Sequence, residues 1–336
     1  MARPAVSLSL DMDNAWAYLK THCDPAWETY PNYLPKFVPI ALEFLARHNQ
    51  KVTFMIVGQD AVREENQAIL QEIVAAGHEV GNHSFNHETW MQTYGDDQVV
   101  EEIIRTEQAI VKATGSKPAG FRGPGYAASE TILNVLQRLG YRYDSSLLPS
   151  ILNPIARVYY IWGTKMSQDE KKQRGDLFGH FRDGFASLKP FHWKTATGHL
   201  LEIPITTIPC LRLPFHLSYL LWLSRFSRSF AFLYFRVGLL MCHLRGVRPC
   251  CLMHPLDFLG VEDAPELRFF PGMDLAREYK LQFAGQFLRE LQRHFEVMPI
   301  GRYLSRIPEI SALEKVATAH LRSGRLLAQE KVNPAS

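Results

Sequence analysis

Lys51-Val52-Thr53-Phe54-Met55-Ile56-Val57-Gly58 is a near-continuous apolar run that stops on a glycine, and its reading decides the fold. A strand apolar on both faces belongs in a sheet covered on both sides, which is the signature of parallel pairing. Ahead of it, Pro35 to His48 places Phe37, Ile40, Ala41, Phe44 and Leu45 at helical spacing. Behind it, Glu65 to Ala76 reads as a helix closed by Gly77, and Glu79-Val80-Gly81 as the next strand. The alternation continues outward in both directions. Val6 to Leu10 is a strand, Asp97 to Thr114 a helix ending on Gly115, Gly120-Phe121-Arg122 a short strand, and Ala128 to Leu139 a helix ending on Gly140. This order predicts an α/β fold, a distorted (β/α) barrel of about seven parallel strands with its chemistry on the loops after the strands.

Polar residues gather at those strand ends. Gly81-Asn82-His83-Ser84-Phe85-Asn86-His87 carries two imidazoles four positions apart. A turn or first helical turn would bring both to one side, where two neutral nitrogens can hold a divalent metal. Asp11 and Asp13 follow the first strand, and i and i+2 share a face of an extended chain. Arg122-Gly123-Pro124-Gly125-Tyr126 and Tyr143-Asp144-Ser145-Ser146 follow later strands, and His254 ends the apolar run Cys250-Cys251-Leu252-Met253. Each has a plainer reading. The His pair can sit on a solvated helix, the aspartates can cap a helix at Ala15, and Arg122 can be a surface ion pair. His254 can be a core histidine, and Asp144 a helix cap. Five such placements on one barrel face favour a catalytic site over the plainer readings taken singly.

Together these residues resemble the polysaccharide deacetylase family, also called carbohydrate esterase family 4, over about residues 5–150 and again near 250–300. Asp11-Met12-Asp13 resembles the first motif in its split form. His83-Ser84-Phe85-Asn86-His87 is similar to the H-[ST]-x-x-H metal motif, Arg122 to Tyr126 to R-x-P-x-Y, and Leu252-Met253-His254 to the closing L-x-H. The resemblance implies a hydrolase that removes an N-acyl group, acetyl or formyl, from a sugar. It implies Asp13, His83 and His87 as ligands of a divalent metal, Zn2+ first, with Co2+, Mn2+ or Ni2+ compatible with the same donors. It further implies Asp11 as general base, Arg122 as its partner, the backbone N–H of Tyr126 as an oxyanion donor and His254 as the acid for the leaving amine. Asp144 would orient or tune His254 or the arginine. Ser145 stands where the family often has Trp, which alters the expected lining of the acyl pocket. Relatives of this fold that hydrolyse a small non-peptide amide or cyclic ureide supply an alternative. A catalytically silent, membrane-associated binding module is another.

The chain has 336 residues, 46% of them hydrophobic, and a net charge of +3, so no global charge excess points to nucleic acid. We expect one barrel over residues 1–310, interrupted by an insertion at 150–248 ahead of the last catalytic strand, and a polar tail, helical or loose, over 311–336. Five cysteines without framework spacing, and no secretory signal, lead us to expect a cytoplasmic protein with reduced thiols. Within the insertion, Ile203 to Leu256 holds no Asp or Glu but has Arg212, Arg225, Arg228, Arg236, Arg245 and Arg248. No apolar run there reaches the ~20 residues of a bilayer span. Arg225, Arg228 and Arg236 share one side of a helical wheel, opposite Leu, Trp, Phe and Tyr. That pattern predicts helices over 211–245 lying on an anionic membrane surface, peripheral to the inner face of the cell membrane. A core hairpin or an oligomer interface is the alternative. A lipid-linked sugar would fit the membrane reading, and Trp162, Phe191-His192-Trp193 and His199 are candidates for sugar stacking.

Overall fold

The computed structural model describes residues 3–153, 184–307, 315–317, 321–322 and 325–326. Parallel strands lie side by side in the order β7 (His199–Glu202), β5 (Tyr143–Asp144), β4 (Gly120–Phe121), β3 (Glu79–Asn82), β2 (Thr53–Ile56), β1 (Ala5–Asp11) and β8 (Cys250–Met253). This curled, mostly parallel sheet is the expected distorted barrel. No strand ladder closes it among the described residues. A single backbone bond, Thr206 N–H to the Cys250 carbonyl at 3.0 Å, joins the segment after β7 to β8.

Helices α2 (Leu34–Arg47), α4 (Glu64–Ala75), α5 (Asp96–Thr114) and α6 (Glu130–Arg138) lie between successive strands, close to the expected bounds. The apolar sides of α2, α4 and α5 meet Leu8, Leu10, Phe54, Ile56 and Val80 on the outer face of the sheet, and α6 packs in a second cluster with Phe121. Each such large side chain contributes roughly 1.5–3 kcal/mol when fully buried. Every residue of β1 is buried, as a strand covered on both faces requires. The inner face is lined by small or slim residues (Ser7, Ser9, Thr53) and by Met55 and Tyr143. Gly120 belongs to this layer because a Cβ there would lie 1.9 Å from the Tyr143 ring. The short helix α10 (Ile300–Leu304) closes the end remote from the strand C-termini. Its first N–H groups donate to Thr53 Oγ1 and to the Glu79 carboxylate, at 2.8 and 2.9 Å.

Two regions depart from expectation. The segment set apart as an insertion supplies the hairpin β6 (Phe191–Lys194) and β7, and β7 extends the parallel sheet next to β5. It is therefore partly barrel wall. Residues 315–317, expected in a helical or loose tail, form strand β9 parallel to β6, and 321–322 pair antiparallel with 325–326. Charged side chains hid both strands from a periodicity test.

Helices α7 (Leu217–Ser224) and α8 (Arg228–Leu244) pack against α9 (Arg277–His294), with Phe232 on Phe283 and Phe235 on Phe287. The three arginines face this same side. Arg225 pairs with Asp274 at 2.9 Å, Arg236 with Glu290, and Arg228 with Gln286 at 3.0 Å while covering the Tyr279 ring. The outward face is apolar: Trp222, Phe226, Phe230, Leu233, Val237, Leu240 and Leu244 are between 41% and 73% exposed. The amphipathic helix is real, but its outward face is the reverse of the expected one. Acidic groups on α9 and the loop before it, invisible to a reading of 203–256 alone, draw the arginines inward. No described helix is long and apolar enough to cross a membrane.

Candidate active site

The strands end in register. Leu10 lies beside Met253, Asp11 beside Met55, Ile56 beside Asn82, Asn82 beside Phe121, and Phe121 beside Asp144. The residue at or after each C-terminus therefore reaches one common mouth. Asp13, His83 and His87 meet there, with one donor atom from each lying within 4.8 Å of the other two. Asp13 Oδ1 is 3.1 Å from His87 Nε2 and 3.3 Å from His83 Nε2. Burial pushes the Asp13 carboxyl up, but the charges and hydrogen bonds of His87 and His83 outweigh it and hold it well below its usual value. Burial likewise pushes His83 down, and the Asp13 and Asp11 carboxylates reverse that into a raised value. Two imidazoles and one carboxylate, all largely buried, are a donor set that fits a divalent cation with positions left open.

Local structure fixes these ligands. Asn14 Oδ1 accepts from Ala15 N–H at 2.8 Å and caps helix α1 (Ala15–Thr21), so neither aspartate is the cap and Asp13 turns inward. Ser84 and His87 sit in the left-handed backbone region, at φ 59° and 51°, which is unusual for residues other than glycine. Glu102 on α5 holds that strained loop, accepting from the N–H groups of Phe85 and Asn86 at 2.8 and 2.9 Å. The Asn82 side chain accepts from Ser84 N–H at 2.9 Å. His83 Nδ1 lies 2.6 Å from the Arg122 carbonyl oxygen, which leaves Nε2 to face Asp13. Sequence reading missed Glu102. An acidic residue within an amphipathic helix has no signal of its own.

Arg122 is fully buried. Its Nη1 donates to Asp11 Oδ1 at 2.6 Å and to Ser9 Oγ at 2.7 Å, and its Nε and Nη2 donate to the carbonyl and hydroxyl of Ser145 at 2.9 Å. Burial would push the guanidinium down, but Asp11 outweighs it and the group stays raised. Ser145, the departure from the family pattern, is thus spent on the arginine. His254 Nε2 lies 3.9 Å from Asp11 Oδ2, on the opposite oxygen from Arg122. Asp11 accordingly stands between a fixed cation and an imidazole.

Two expected placements are not found. Asp144 touches neither His254 nor Arg122 in any hydrogen bond. It accepts from Ser146 Oγ at 2.6 Å and shares a buried pocket with Glu202, whose carboxylate receives Trp193 Nε1 at 2.9 Å and Leu147 N–H at 3.1 Å. Burial raises Asp144, and burial together with Asp144 holds Glu202 well above its usual value. The backbone N–H of Tyr126, expected as an oxyanion donor, donates instead to the Gly123 carbonyl at 3.0 Å inside its own turn. Of the aromatic candidates, Phe191 and Trp193 are core residues and Trp162 lies outside the described residues.

Residues 19–143 match the family model for polysaccharide deacetylases. That stretch takes in His83, His87, Arg122 and Tyr126, while Asp11 and Asp13 precede it and Asp144 and His254 follow it. The peptidoglycan-N-acetylglucosamine deacetylase of Bacillus cereus is 33% identical over 89 residues, 26% of this chain and 31% of that protein. The peptidoglycan-N-acetylmuramic acid deacetylase of Bacillus subtilis is 31% identical over 116 residues, 34% and 43% of the two. The chain therefore matches less than half the length of either relative. A Mycobacterium smegmatis crystal structure, provisionally assigned as a polysaccharide deacetylase, aligns over 98% of this chain and 96% of its own. Its TM-score is 0.57 at 17% identity, a likeness of fold.

Proposed function

We propose, from the match of residues 19–143 to the polysaccharide deacetylase family model, a metal-dependent hydrolase that removes an N-acyl group from a sugar. The observation that carries this reading is the meeting of Asp13, His83 and His87 within 4.8 Å, with Asp11 and His254 close by. Asp13, His83 and His87 would hold a divalent ion, zinc first in preference, which when bound would supply Lewis-acid polarisation of the acyl carbonyl and lower the pKa of the attacking water. Asp11, oriented by Arg122, takes the water proton. His254 delivers a proton to the amide nitrogen as the C–N bond breaks, and its electron pair stays on the nitrogen. Base and acid of this kind each contribute roughly 10²–10⁴-fold. The test is release of free amine from N-acetylated chito-oligosaccharides by the zinc-loaded protein, against Asp11→Asn. Amine release by the wild type alone supports the reading; none from either, with stoichiometric metal bound, overturns it.

Within this reading the sugar is carried on a lipid, and the enzyme works at an anionic membrane on the cytoplasmic side. The exposed stripe of α8, with Trp222 and Phe226, supports it as an interfacial face. At the end of that stripe Lys189, Arg212 and Arg245 line a cavity of about 450 Å³ beside Leu244, suited to acidic headgroups. The five free cysteines suit a reducing compartment. Flotation with vesicles containing acidic lipids checks the surface. Phe230→Ser/Leu233→Ser/Leu240→Ser should stay in the soluble fraction while the wild type floats; equal recovery of both overturns the membrane reading.

A further inference from the structure

His254 is held from two directions. Its backbone N–H donates to Asp257 Oδ2 at 2.8 Å, in the turn Pro255–Asp257. Its Nδ1 lies 3.0 Å from the hydroxyl of Ser218, in the first turn of α7. The Asp257 carboxylate is buried. Lys280 of α9, also buried, clamps the turn by donating to the carbonyls of Leu256 and Leu259, both at 2.7 Å. The ring is thereby held with Nδ1 on the Ser218 hydroxyl and Nε2 facing Asp11. Its aromatic neighbour His216, at 6.0 Å, is buried and kept neutral, pushed down to about 3 by burial, by His254 and by Arg122.

We propose that Ser218 and Asp257 form a relay of two contacts that positions His254 as the acid, the hydroxyl holding the imidazole at Nδ1 and the carboxylate holding the backbone N–H of the same residue. The relay rests on the assignment of His254 as proton donor. Ser218 and Asp257 are positioning residues; neither reaches the substrate. When His254 Nε2 gives its proton to the leaving nitrogen, the Nδ1–H bond to Ser218 persists, so the ring keeps its aim and its tautomer.

The relay should matter only where the leaving group needs a proton. Ser218→Ala, Ser218→Thr and His254→Ala are compared on an N-acetylated chito-oligosaccharide, whose amine must be protonated, and on 4-methylumbelliferyl acetate, whose phenolate leaves unaided. Ser218→Ala is expected to lower kcat on the amide about tenfold or more, inside the roughly 10²–10⁴-fold span of a general acid. Its KM and its ester hydrolysis should stay near wild type, and Ser218→Thr should recover the amide rate. If Ser218→Ala slows amide and ester alike, or neither, while His254→Ala loses the amide activity, the relay is wrong and the acid assignment stands. If His254→Ala retains full amide activity, both fall.

Discussion

Asp13 carries more of the site than any other side chain, because its one oxygen lies within 3.3 Å of both imidazoles. Asp13→Asn keeps the shape and removes the charge. Metal affinity should fall by more than the roughly 10–100-fold cost of losing an outer-shell partner. Added zinc should raise the melting temperature of the wild type, by linkage, and leave that of the variant unmoved; an equal rise in both would remove Asp13 from the ligand set. Asp144 makes a different prediction. Glu202 has a folded-state value raised well above 4.5 by burial and by Asp144. Below 4.5 the pair carries its protons in folded and unfolded chains alike and its contribution is intact. As pH rises through the raised folded value that contribution is lost, by about 1.4 kcal/mol per pH unit for one retained proton. Asp144→Asn can donate to Glu202 and still accept from Ser146, so its urea midpoint should drop less than that of the wild type between pH 5 and pH 8. A parallel drop would show that the pair does not titrate there. Asp11, Asp13, His83, His87, Arg122 and His254 were legible in the sequence because each ends or follows a strand, and parallel strands end in one row. The partner of Asp144 lies 58 residues onward in a strand that carries no motif, and Ser218 is an ordinary helix serine. Local spacing holds no trace of either contact.

The elements show why some boundaries were legible and others were not. The crossover helices and strands from β1 to β5 were readable because burial on one face imposes a 3.6 period and burial on both faces imposes an apolar run. Phe191–Lys194 and His199–Glu202 place two histidines, a lysine and a glutamate at strand positions, so neither pattern appears. The inner layer of the sheet is equally silent in sequence, since its demands are steric. At Gly120 a methyl group would meet the Tyr143 ring at 1.9 to 2.3 Å, in a layer closed below by α10. At Gly81 the nearest atoms are the Met55 sulfur and methyl, at the flexible end of its side chain. Gly120→Ala should therefore cost about 1–3 kcal/mol, the usual price of overpacking, and Gly81→Ala distinctly less. Denaturant titration of the two variants checks the order; a reversed order would mean that the Tyr143 ring yields more easily than Met55.

At the scale of the whole molecule, α7 joins the reacting centre to the outer face. Ser218 near its start touches His254, and Trp222 near its end is exposed beside Phe226 and the α8 stripe. Four residues of helix advance about 6 Å, so the mouth of the barrel and the apolar face are separated by roughly the depth to which an interfacial helix sinks, about 5–10 Å. Arg225 and Arg236 neutralise acids of the barrel and so do not compete for headgroups, while Lys189 and Arg245 stand at the far end of the stripe. Insertion of that face would bring a sugar on a membrane lipid to the mouth without lifting the lipid out of the bilayer. Trp222 reports the depth directly. In vesicles of acidic lipids with brominated acyl chains, the protein's tryptophan emission should be quenched, and Trp222→Phe should lose most of the quenching while floating as well as the wild type. Quenching that is unchanged in Trp222→Phe would place another surface in the bilayer and turn the barrel mouth away from it.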